Sequence, residues 1–196
     1  MKILRFLSVI FSILLFFCNP TTIYSQDKSD WEGGFPDGCT SITVGKLASA
    51  DGSVMTSHTD DSHRTRSEID IRQSMDHKAG STTPMFRREA DNSLAMPAYK
   101  NIKIGEIPQV AHTYKFVNSA YPCMNEKQLG IGESTFGGRD ELQSDLGLID
   151  CQRLCQLMVE RCTTARDAIK LADELTKKYG WNDFGECLTI ADTKEV

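Results

Sequence analysis

The apolar residues of this chain shift from an alternating to a helical period near Ile149, and that change limits the folds open to it. Between Cys39 and Glu133 the pattern is one of short alternating runs bounded by Gly, Pro, Asn and Asp. From Ile149 to Tyr179 the apolar residues recur three and four apart instead. Alternation places side chains on the two faces of a strand, whereas the longer period lines them along one face of a helix. A last alternating run, Cys187-Leu188-Thr189-Ile190-Ala191-Asp192, comes after the helical stretch. Strands, then a helical pair, then a strand predict an α+β fold. The 196 residues are enough for one domain with a core of ordinary size.

Within that frame several elements can be placed. Cys39-Thr40-Ser41-Ile42-Thr43-Val44-Gly45 and Val54-Met55-Thr56-Ser57-His58 flank an Asp51-Gly52 turn and predict a β-hairpin. A hairpin centred there would bring residue 39 opposite residues near 64. Residues 59–95 read as polar and turn-rich, with short extended pieces such as Ile69-Asp70-Ile71. Lys103 to Val117 predicts one or two strands around Pro108, and residues 123–133 a turn and then a strand. One helix is expected from about Ile149 to Cys162. Thr164-Ala165-Arg166-Asp167 resembles a capping box and opens a second helix, which ends at Tyr179-Gly180. Cys151, Cys155 and Cys162 share the helical period with Leu154, Met158 and Val159, so they read as small buried apolar residues rather than a disulfide or a metal cage.

The N-terminus reads as a secretory signal. Lys2 and Arg5 precede an apolar run from Phe6 to Phe17, broken only by Ser8 and Ser12 and ended by Asn19-Pro20. That run is too short to span a bilayer comfortably, and small or polar residues lead from it to a plausible cut near Ser25-Gln26. Export to the periplasm or the extracellular space is the expectation. Cys18 comes after the bulky Phe16-Phe17 rather than the small residues of a lipid-attachment site, and it would leave with the signal. Residues 26–38 are polar and glycine-rich, a linker composition. The chain carries 22 basic against 27 acidic residues, and losing Lys2 and Arg5 makes it more acidic still. An acidic chain does not suit nucleic acid or an anionic membrane surface, both of which need clustered positive charge.

Cys39 is the residue with chemical potential. It follows Gly38, opens a strand, and receives His58-Thr59-Asp60-Asp61-Ser62-His63-Arg64 from the other arm of the hairpin. A thiol beside a base and positive charge is a candidate nucleophile, because the thiolate is the attacking species. His58, His63 and Asp61 match no strong zinc spacing, so neither a metal nor another cofactor is expected. A different reading makes the chain an exported binding domain in which Cys39 pairs with Cys123 or Cys187.

Gly38-Cys39-Thr40-Ser41-Ile42, Val44-Gly45-Lys46, Ala48-Ser49-Ala50-Asp51-Gly52-Ser53 and Met124-Asn125-Glu126-Lys127-Gln128-Leu129 resemble the cysteine dipeptidases related to dipeptidase A and the secernins. These are N-terminal-nucleophile (Ntn) hydrolases, and the likeness runs over residues 38–196. It implies a layered αββα fold, small peptide substrates (dipeptides), and a nucleophile that becomes the first residue of the mature chain. Residues 1–25 would then be the signal, 26–38 a propeptide cut at Gly38–Cys39 by the thiol itself, and 39–196 the hydrolase domain. Gly38 would adopt the strained geometry such a cut requires. The freed α-amine, with an ordinary pKa of about 7.7–8.0, would act as base. Asp61 would orient that amine, and His58 stands where relatives place an arginine. Ser134 or Thr135 would supply oxyanion donors. Asn125 reads either as a substrate contact or as the residue closing the turn before that strand. Relatives run longer, so the resemblance implies a chain incomplete at its C-terminus, of doubtful activity as it stands. An acylase acting on non-peptide amides, of the penicillin V acylase or bile-salt hydrolase type, uses the same nucleophile and is the nearest alternative. The sequence is compatible with a monomer or a homo-oligomer.

Overall fold

The computed structural model describes residues 38–61, 68–91, 98–142 and 144–196. The signal, the prefix up to Asp37, and His63 and Arg64 therefore lie outside the described residues. In chain order the strands begin with β1 (Gly38–Val44), β2 (Met55–Asp61), β3 (Asp70–Arg72), β4 (Met75–Asp76), β5 (Thr82–Asp91) and β6 (Ala98–Pro108). They continue with β7 (His112–Thr113), β8 (Phe116–Asn118), β9 (Pro122–Asn125), β10 (Gly130–Gly137) and, after two helices, β11 (Gly185–Ala191). The helices are α1 (Cys151–Arg161) and α2 (Ala165–Tyr179). Strands followed by a helical pair and a closing strand make this an α+β fold, as the change of period predicts.

An antiparallel sheet in the order β11-β10-β9-β8-β3 forms the middle of the molecule. Helix α1 packs on it, and Leu129, Ile131, Ile149, Leu154, Leu157, Met158 and Val159 are at most 5 % exposed there. Cys151, Cys155 and Cys162 are buried in the same core as free thiols, the apolar role their spacing predicts. Both helices start on side-chain caps. Asp150 Oδ1 accepts from Arg153 N at 2.7 Å, and Thr164 Oγ1 accepts from Asp167 N at 3.2 Å. Gly180, at φ 76°, ends α2.

Two features differ from the sequence reading. Strands β5 and β6 form a long ribbon where residues 59–95 promised only turns and short pieces. The strand Thr82–Asp91 shows little alternation because Pro84, Arg87, Arg88 and Glu89 are not core residues, and Met85 is its one fully buried side chain among those described. The first hairpin is also shorter than its Asp51-Gly52 centre suggested. A turn from Gly45 O to Ala48 N (3.0 Å) opens the loop, and Gly52 at φ 74° lies on its exit side. That shift pairs Cys39 with Asp60 and Ser41 with His58, not with residues near 64.

Candidate active site

Antiparallel pairing fixes which side chains share a face of the β1–β2 ribbon. Cys39 and Asp60 face one another directly, and Ser41 and His58 form the next pair on that face. Asp61, expected to orient the α-amine, pairs with Gly38 and is exposed, with Thr59 Oγ1 donating to its Oδ2 at 3.1 Å. The geometry thus places Asp60, rather than Asp61, across the ladder from the thiol. Gly38 is the first residue of β1.

The ribbon packs on β10 through small and polar groups. Ser41 Oγ lies 3.1 Å from Ser134 Oγ and 3.3 Å from His58 Nδ1. At Gly132 a Cβ would come within 2.9 Å of His58 Cβ and 2.7 Å of Thr189 Oγ1, so only glycine admits β2 this closely. The approach carries Cys39 to Glu133, a residue that is 2 % exposed. Cys39 Sγ is 3.9 Å from Glu133 Oε1, and that same oxygen is 4.0 Å from His58 Nε2. Glu133 therefore sits between thiol and imidazole. Nothing in the motif blocks singles it out, although its register is a signal: it follows Leu129 and Ile131 at two-residue spacing, on positions that are buried.

Thr135 ties a second carboxylate into the cluster. Its hydroxyl bridges Glu133 Oε2 at 3.4 Å and Glu186 Oε1 at 3.1 Å. Burial and then the adjoining Glu133 push the Glu186 carboxyl up to about 8. Burial also raises the Cys39 thiol, the Thr135 backbone N–H opposes this by donating to sulfur, and the charges of Glu133, Asp60 and Glu186 raise it further. At neutral pH this thiol is accordingly protonated and needs a base before it can attack.

The raised Glu186 value has a consequence for stability. The folded chain holds this proton up to about pH 8, whereas the unfolded carboxyl releases it near 4.5. Stabilisation from this group is complete below the unfolded value and falls as pH rises through the window to the folded one. Glu186→Gln should flatten the loss of thermal midpoint between about pH 5 and 8. An identical slope in wild type and variant, read by calorimetry, would assign the effect elsewhere.

A cavity of about 360 Å³ opens beside the cluster, with His58, Asp60, Tyr121, Cys123, Met124 and Glu133 among its lining residues. Asn125 does not line it. Its amide is spent in the core, donating to Val159 O and Cys162 O at 2.8 Å each and accepting from Lys127 N and Leu129 N. Of its two readings, the geometry fits the turn-closing one. Among the described residues, the groups able to hold a cation are Cys39, Asp60 and Glu133, or Glu133, Cys151 and Glu186, whose ligand atoms lie within 4.8 Å of one another. Cys39, Cys123 and Cys187 are free thiols.

A half-buried cysteine at the head of a strand, set against a buried carboxylate that itself lines a cavity, is an arrangement suited to a cysteine-type hydrolase. Comparison with protein families narrows that class. The model of Peptidase family C69 matches residues 38–196, and the chain belongs to this family of Ntn-type cysteine peptidases, the dipeptidase A and secernin relatives that its motifs resemble. No curated protein and no solved structure matches the chain.

Proposed function

We propose that this chain is an exported cysteine dipeptidase that exposes its own nucleophile by cleavage at Gly38–Cys39, on a layered αββα Ntn scaffold. The observation that carries the reading is the convergence of Glu133 Oε1 and the Thr135 N–H on Cys39 Sγ, beside a 360 Å³ cavity. In the mature chain Cys39 attacks the scissile carbonyl, its α-amine takes and returns the proton, and Asp60 orients that amine from across the ladder. The backbone N–H of Thr135, with Ser134 beside it, faces the developing oxyanion. Asp60 and Glu133 make the site acidic, which suits a substrate with a free α-ammonium group, as every dipeptide has. His58, linked to Ser41, takes the place of the arginine in relatives and lines the cavity.

N-terminal sequencing of the purified exported protein, with a dipeptide hydrolysis assay on the same sample, tests this. The expected result is a chain beginning at Cys39 that cleaves dipeptides and leaves their N-acetylated forms intact. A chain beginning near Gln26 with no hydrolysis would remove the reading. Cleavage of phenoxyacetyl amides without dipeptide cleavage would move the chain to the acylase alternative.

A further inference from the structure

We propose that Glu133 is the base that takes the Cys39 thiol proton when the prefix is cut, a role the α-amine cannot fill because it does not yet exist. This rests on the reading of Cys39 as a self-processing nucleophile. Until the Gly38–Cys39 bond breaks, the Cys39 nitrogen is an amide nitrogen inside β1, and an amide is not a base at neutral pH. A mature-enzyme mechanism in which one residue supplies both nucleophile and base therefore leaves the first turnover, on the chain itself, without an acceptor.

Glu133 is placed to be that acceptor. Its Oε1 lies 3.9 Å from Cys39 Sγ, within the range of a sulfur hydrogen bond, and the thiol is the donor. The groups around Glu133 are Cys39 of β1, His58 and Asp60 of β2, Tyr121 beside β9, Thr135 of β10, Cys151 of α1 and Glu186 of β11. Glu186 keeps its own proton at neutral pH, so the pair need not carry two charges in a buried site. Among the described residues, a Cβ at Gly38 would meet nothing within 4 Å.

The step balances with water as the only co-reactant. The proton moves from Sγ to a Glu133 oxygen, and the sulfur electron pair forms a bond to the Gly38 carbonyl carbon, closing a five-membered ring. Collapse breaks the carbon–nitrogen bond while Glu133 returns the proton to the leaving nitrogen. The products are a Gly38 thioester and a free α-amine. Water then hydrolyses the thioester, which restores the thiol and releases the prefix with a carboxylate at Gly38.

Cell-free synthesis of the full chain, with intact mass followed over time at several pH values, tests the assignment. Wild type, Cys39→Ala, Glu133→Gln and Glu133→Asp are compared. At pH 7 Glu133→Gln should lose its prefix at least tenfold more slowly than wild type. Its rate should then rise about tenfold per pH unit, because hydroxide now supplies the thiolate. Glu133→Asp should recover part of the neutral rate, and Cys39→Ala should stay intact throughout. Glu133→Gln processing at the wild-type rate at pH 7 would overturn the proposal. So would a Glu133→Gln chain locked at every pH like Cys39→Ala, since that outcome assigns Glu133 to folding. A wild-type chain that keeps its prefix removes both this inference and the self-processing reading. A processed wild type with a fast Glu133→Gln removes this inference alone.

Discussion

Cys39→Ala should keep residues 26–38 attached and should abolish dipeptide hydrolysis, by a thousandfold or more on the order of what loss of a nucleophile costs other hydrolases. Both effects have one origin. In the proposed function the sulfur at the head of β1 forms the acyl intermediate, with its own chain first and with substrate afterwards. The methyl group of alanine occupies part of the same space and leaves Glu133 buried without the thiol. Intact mass and a coupled amino-acid release assay measure the two losses separately. Cys39→Ser sharpens the result. A hydroxyl is far less acidic than a thiol, so prefix removal should slow strongly yet remain detectable, and the released chain should begin with serine. Normal hydrolysis by Cys39→Ala would place the chemistry on another residue.

Asn125→Ala should be the most damaging substitution away from the thiol. The amide of Asn125 uses all four of its hydrogen-bonding positions, two donations to carbonyls at the end of α1 and two acceptances from the turn before β10. The residue is 4 % exposed, so water does not replace these partners freely. Each buried group left unsatisfied costs about 1–3 kcal/mol, and the four are not additive, so a total of about 3 kcal/mol or more is expected. For a domain of this size that lowers the thermal midpoint by roughly 10 °C. Asn125→Asp gives a second reading, because it keeps both acceptances but turns a charge toward the two carbonyls it no longer serves. A drop under about 2 °C in either variant, followed by circular dichroism, would show that the turn and helix hold without the amide.

The helices and the first hairpin were legible in the sequence because local chemistry specifies them. Asp150 and Thr164 cap where the pattern breaks, and Gly180 ends α2 where the period ends. The family was legible because the motif block around Cys39 is specific, and the match begins at that block. The neighbours of Cys39 were less so, for two physical reasons. A one-residue change of register moves every side chain to the opposite face, and the loop between β1 and β2 sets that register through a turn at Gly45–Ala48 that composition does not reveal. The pairing of Cys39 with Asp60 in place of residues near 64 results from that loop. Glu133 and Glu186 are distant from Cys39 along the chain, and only the packing of the ribbon on β10 and the pairing of β10 with β11 unites them. The β5–β6 ribbon was hidden for another reason, since charged residues along it erase the alternation that marks a half-buried strand.

No described residue of the β1–β2 ribbon belongs to the apolar core, and Ile42 and Met55 on it are 62 % and 50 % exposed. Serine hydroxyls, a glycine gap and one carboxylate hold the ribbon to β10, and such contacts break at lower free energy than the helix–sheet core. Cys39 is therefore expected to lose its neighbours at lower free energy than α1 leaves the sheet. Backbone amides of residues 39–44 should exchange with solvent well ahead of those in residues 154–159. On warming, the contacts that position Cys39 would be lost before the helix–sheet core comes apart, so that useful lifetime is set by this pair of strands and not by global melting.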